Sequence, residues 1–64
     1  MTKIGQMYIS KYHKENICII TEIDITTNPK IITYFHFIAS FSGLENTFSR
    51  MYEDTFVKYY KKIG

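Results

Sequence analysis

Cysteine occurs once in this chain, at Cys18, which excludes an internal disulfide. Cys18 with His13 and His36 also falls short of the four ligands a structural zinc site needs. No stretch approaches the roughly 18 apolar residues of a membrane span. The longest apolar run, Ile17-Cys18-Ile19-Ile20, is strand-sized. No apolar run follows Lys3, so no signal peptide is expected. A lone cysteine without an export signal points to a reducing cytoplasm. Charge of one sign is also scarce: the net value is +2. That permits nucleic-acid contact without arguing for it, because a strong electrostatic footprint needs an isoelectric point above about 9 and clustered bases.

What the chain has is aromatic residues, six tyrosines and five phenylalanines in 64 positions, with no tryptophan. Residues 1–64 make one small domain. A domain this short buries only about 60% of the surface its unfolded chain exposes. It therefore relies on a disulfide, a metal, good packing or a second copy. With the first two excluded, aromatic packing or self-association remains, and a monomer or a homodimer is expected. Isoleucine, lysine, tyrosine, phenylalanine and asparagine are abundant while alanine, arginine, glycine and proline are scarce. AT-rich codons specify the first group, a composition that suits an AT-rich bacterium or a phage infecting one.

Four strands and a short helical turn are expected. The first runs from about Gln6 to Tyr12, with Met7 and Ile9 facing opposite to Tyr8 and Ser10. His13-Lys14-Glu15-Asn16 is a polar turn. In the second strand Ile17, Ile19, Thr21, Ile23 and Ile25 share one face and Cys18, Ile20, Glu22 and Asp24 the other. Period-two alternation places the odd-numbered isoleucines in the core and the carboxylates in water. Thr26–Lys30, containing Asn28-Pro29, is a turn. The third strand, about Lys30 to Ile38, is apolar on both faces and completes a hairpin with the second. Ala39–Glu45 is loop-like around Gly43, and a fourth strand follows from about Asn46 to Met51. Asp54 then caps a helical turn with its carboxylate. Phe56 and Tyr60 share one face of that turn, with Tyr59 three beyond Phe56, while Lys58, Lys61 and Lys62 stay wet and Ile63 returns to the core.

These elements describe a mainly β protein, a small strongly bent barrel of four to five strands with a short C-terminal helical turn. The alternative is an α+β arrangement, a four-stranded antiparallel sheet with one C-terminal helix. The segments Ile4-Gly5-Gln6-Met7-Tyr8-Ile9, Ile19-Ile20-Thr21-Glu22-Ile23 and Tyr52 through Ile63 resemble the small stand-alone SH3-like barrels of phages and their bacterial hosts. In that family a glycine-led first strand, a long hairpin and a helical turn before a final strand recur in this order. The resemblance implies a non-catalytic binding module, in particular a phage-encoded effector that binds and modulates a host protein in the host cytoplasm. A nucleic-acid-binding barrel is the alternative.

No catalytic constellation is expected. Neither histidine has a serine, cysteine or carboxylate at a motif spacing, so His13 reads as a turn residue and His36 as a structural or surface one. Cys18 reads as a small buried hydrophobe, and Glu53-Asp54 as capping and dipole complementarity rather than a metal or acid–base pair. Neither cofactor nor metal is expected. The partner-binding candidates are Tyr12, His36, Phe41, Leu44 and Tyr59, of which Phe41 and Leu44 lie in a Ser/Gly loop suited to presenting an anchor. The nucleic-acid candidates are Lys11, Lys14, Lys58, Lys61 and Lys62, where lysines neutralise phosphates and interleaved tyrosines stack on bases.

Overall fold

The computed structural model describes residues 2–39, 43 and 45–63. Among the described residues five strands, β1 (Met7–Ser10), β2 (Asn16–Asp24), β3 (Ile31–Ala39), β4 (Phe48–Tyr52) and β5 (Tyr60–Lys62), form one antiparallel sheet. A short helix, α1 (Glu53–Tyr59), sits between β4 and β5. The strand order is β4-β3-β2-β1-β5. The chain is thus mainly β, with a glycine turn before β1, a long β2–β3 hairpin and a helix before the final strand. Gly5 adopts φ +90, a conformation L side chains resist, and its N–H donates to Ile20 O at 2.8 Å. This turn starts β1 alongside β2. Gly43 is likewise left-handed, at φ +71, as the turn it was expected to make requires.

The sheet curls. Neighbouring strands lie about 4.8 Å apart, so β5 and β3, three positions apart, would stand about 14 Å apart if the sheet were flat. Yet the rings of Tyr34 on β3 and Tyr60 on β5 have centroids 5.6 Å apart. Phe56 of α1 fills the space between them, stacked on Tyr60 at 4.7 Å, tilted against Tyr34 at 4.9 Å and edge-on to Tyr8 at 5.0 Å. Such pairs are worth roughly 0.5–1.5 kcal/mol each beyond the area they bury. Helix α1 joins the two ends of the ladder and completes the curl.

The core lies on the face opposite to the one alternation in β2 favoured. Cys18 and Ile20 are buried while Ile17 and Ile19 are only half-buried and Ile25 is exposed. Register explains this: Tyr8 pairs with Cys18, and Cys18 and Ile20 pair with His36 and Tyr34. The rings from β1, β3, β5 and α1 all converge on that even-numbered face, where the small Cys18 leaves room for them. A bulge between Ile20 and Glu22 then places two residues of β2 opposite one of β3. The phase flips there, so Ile23 packs on the core while Glu22 and Asp24 share the face of Ile19. In β3 the same even face is chosen, with Ile32, Tyr34 and His36 buried.

Two expectations about the C-terminus also fail. Asp54 does not cap α1: the N-cap is Tyr52, without a side-chain cap bond, and Glu53 N–H donates to Lys30 O at 2.7 Å. A carbonyl of the preceding turn already takes that donor, and Asp54 sits inside the first turn beside Glu53, complementing the dipole. The Glu53 carboxylate instead accepts from the Thr2 hydroxyl, which ties the N-terminus to α1. Ile63 is exposed, because period two from the buried Tyr60 carries position 63 to the opposite face. Its N–H still extends the β1 ladder, donating to Met7 O at 2.9 Å.

Candidate partner-binding surface

The β1–β2 turn and the end of α1 are built against each other. Ser10, buried at the end of β1, accepts from the N–H groups of Tyr12 at 3.2 Å and His13 at 3.1 Å through its hydroxyl oxygen. A side-chain oxygen that gathers the following amides makes a tight turn without glycine. Asn16 N–H closes the turn on His13 O at 2.9 Å. Lys11 then joins turn to helix twice: its N–H donates to Tyr59 O at 2.7 Å and its Nζ to Val57 O at 3.0 Å. These are carbonyls near the helix C-terminus that lack intrahelical partners, and a cation suits the negative end of the dipole.

Through these bonds Tyr12 and Tyr59 become neighbours. Their rings lie 5.9 Å apart at 58°, and they remain 68% and 46% exposed. Two of the candidate residues, 47 positions apart in the chain, thus form one surface pair. Tyrosines supply apolar contact area and a polar tip at low entropic cost, the usual material of a binding anchor.

His36 does not belong to this surface. It is 1% exposed, on the inner face of β3. Its Nδ1 lies 3.2 Å from Asn16 Oδ1 and its Nε2 2.7 Å from Ser49 Oγ, while Asn16 Nδ2 donates to the Tyr60 hydroxyl at 3.1 Å. With the Asn16 amide committed to Tyr60, its oxygen faces the imidazole, so Nδ1 carries the proton and Nε2 accepts from Ser49. Burial lowers the pKa of His36 and keeps the ring neutral. Burial likewise raises Tyr34 and Tyr60 above the ordinary tyrosine value and pushes the Cys18 thiol up to about 12. Ser49, His36 and Asn16 stand in the spatial order of nucleophile, base and orienting group, with His36 and Asn16 buried, Ser49 half-buried and each named polar atom bonded to its neighbour. The chain of bonds satisfies buried polar groups that would each cost about 1–3 kcal/mol if unpaired. Asn16 and Ser49 gave no signal in the sequence, since only the register of β2, β3 and β4 brings them to His36.

The lysines divide. Lys11, although exposed, is engaged at the helix end. Lys14 lies in the same turn as Tyr12 and Lys58 precedes Tyr59, both exposed. Lys61 and Lys62 pair with Ile9 and Tyr8 and so alternate to opposite faces of β5, which separates them from a single basic patch. Phe41 and Leu44 lie outside the described residues. Among the described residues, open clefts of about 390, 340 and 490 Å³ are lined by other residues, that of 490 Å³ by Thr2, Tyr8, Pro29, Lys30, Glu53 and Val57 among others. Among the described residues no group of three or more His, Cys, Asp or Glu is placed to hold a metal ion, and no helix is long and apolar enough to cross a membrane.

Compared with known proteins, the chain matches no family model, no curated protein and no solved structure.

Proposed function

We propose that this chain is a non-catalytic protein-interaction module whose recognition surface is the Tyr12–Tyr59 pair. The observation that carries the reading is the pair itself, two exposed rings held in contact by the Lys11 bridge to the helix end. Exposed Lys14, in the turn that carries Tyr12, and exposed Lys58, next to Tyr59 in the chain, favour an acidic protein surface as the partner. The resemblance to stand-alone phage barrels adds the expectation of an effector acting on a host protein in the cytoplasm.

The second reading is single-stranded nucleic acid, with bases stacked on the tyrosines and phosphates on the lysines. The +2 net charge and the division of Lys61 from Lys62 weaken it. Retention of host proteins on the immobilised chain, compared with a Tyr12→Ala/Tyr59→Ala variant, tests the first reading. A partner held by the parent chain and lost by the folded variant supports it. Equal retention by both removes the pair as the site. Anisotropy of a labelled single-stranded oligonucleotide tests the second, where binding must weaken steeply with salt.

A further inference from the structure

We propose that the outer face of the sheet, opposite to the aromatic core, is the interface of a homodimer. This proposal is independent of the tyrosine pair. Strand register aligns the outer residues in rows. Met7 pairs with Ile19, Ile19 with Phe35 and Phe35 with Phe48, giving one apolar row across four strands, in which the rings of Phe35 and Phe48 lie 5.0 Å apart. The adjacent row is Ile9, Ile17 and Ile38, ending at Lys61 on β5. A bulge sets Phe37 and Ile38 together opposite Ile17, which adds a further ring to this face. On the other side the next row is Glu22, Thr33 and Arg50, where the face turns polar.

Helix α1 covers only the inner face, so these rows have no cover among the described residues. Phe48 is 63% and Phe37 53% exposed, and Met7 and Ile38 are exposed as well. Since a phenylalanine presents roughly 150–250 Å², the two rings alone leave on the order of 200 Å² bare. Met7, Ile38 and the half-buried isoleucines bring the apolar area to on the order of 450 Å², the size of the largest patch on a typical monomer, which is often a functional surface. Two such faces bury about 900 Å² of apolar surface together, and the flanking Glu22, Thr33 and Arg50 row carries the total to the roughly 1,000 Å² a specific interface needs.

A second copy is the occupant that fits. Apolar sheet faces bury themselves on one another about 10 Å apart, and homodimer interfaces are the more apolar kind. The polar row carries both signs, Glu22 and Arg50, so a two-fold copy can meet it with unlike charges. A 64-residue chain without disulfide gains the additional burial its thin core lacks.

Sedimentation equilibrium of the full chain, from micromolar to submillimolar concentration, tests this. The expected result is a species of twice the 7.6 kDa chain mass. A Phe48→Lys variant, altered where the side chain is most exposed, should weaken the dimer by about 30-fold or more with unchanged circular dichroism. Should that variant fail to fold, isotope-filtered NOEs in a mixed-label sample of the parent chain give the same answer. They must connect Phe48, Phe35 or Met7 of one copy to the other. A monomer across the whole range, a folded Phe48→Lys variant that still dimerises as tightly, or a dimer lacking these NOEs overturns the proposal. The Tyr12→Ala/Tyr59→Ala variant should dimerise normally, so failure of this proposal and failure of the partner site are read separately.

Discussion

His36 Nδ1 and Asn16 Oδ1 meet 3.2 Å apart inside the core, joining β3 to the first residue of β2. Asn16 is the link between the imidazole and the Tyr60 hydroxyl. Asn16→Ala removes partners from both at once. The buried imidazole loses its Nδ1 partner while the Tyr60 hydroxyl keeps its bond to Tyr34, so the expected loss is about 1–3 kcal/mol, read as a lower midpoint in urea denaturation. A variant as stable as the parent would show that water replaces the amide without cost.

Burial of the same imidazole sets a pH dependence. The pKa of His36 in the folded protein lies below the unfolded value of about 6.5, because burial disfavours the cation. Between the two values the unfolded chain binds the proton and the native chain does not, so stability rises with pH. The contribution of His36 is therefore present above about pH 6.5 and is lost as pH falls through the folded value. An NMR titration of the His36 ring should give an inflection below that of a histidine in the urea-unfolded chain. An inflection above it would contradict the buried neutral ring.

Cys18 provides the alkaline counterpart. Its folded pKa of about 12 exceeds the ordinary thiol value, so the thiol resists ionisation and modification in the native state. A thiol reagent should react slowly with the folded chain at pH 8 and rapidly in urea. Equal rates would place Cys18 at the surface.

Ile20 and Ile25 separate the two faces of β2. Ile20→Ala opens a cavity under the rings and should cost about 2–5 kcal/mol. Ile25→Ala, at an exposed position, should change stability by less than about 0.5 kcal/mol. The reverse order in urea denaturation would restore the odd-numbered core.

Much of this architecture is legible in the sequence, and the errors have identifiable causes. Polar turns, Gly5, Gly43 and the Phe56–Tyr60 spacing announce the strands and the helix, because turn chemistry and periodicity are local. The facing of β2 is not local. Ile17, Ile19, Ile23 and Ile25 make one consistent stripe, but a bulge at Thr21 breaks it in two, and only the positions of Tyr8, Tyr34 and Phe56 decide which half is inside. Tyr12 and Tyr59 were individually recognisable as candidates, whereas their contact depends on the long-range bond from Lys11 to Tyr59. Whether His36 is structural or at the surface is not local for the complementary reason. A polar residue in an apolar strand looks exposed until Asn16 and Ser49 are brought to it.

Photo-CIDNP NMR tests the recognition surface most directly, since it polarises only tyrosine and histidine rings that a dissolved dye can touch. The free protein should give signals from Tyr12, Tyr59 and the equally exposed Tyr52, which serves as a control, while Tyr8, Tyr34, Tyr60 and His36 stay silent. Addition of the partner isolated on the immobilised chain should quench Tyr12 and Tyr59 together. Silence of Tyr12 and Tyr59 in the free protein, or their undiminished polarisation in the complex, would contradict the assignment of this pair as the binding site.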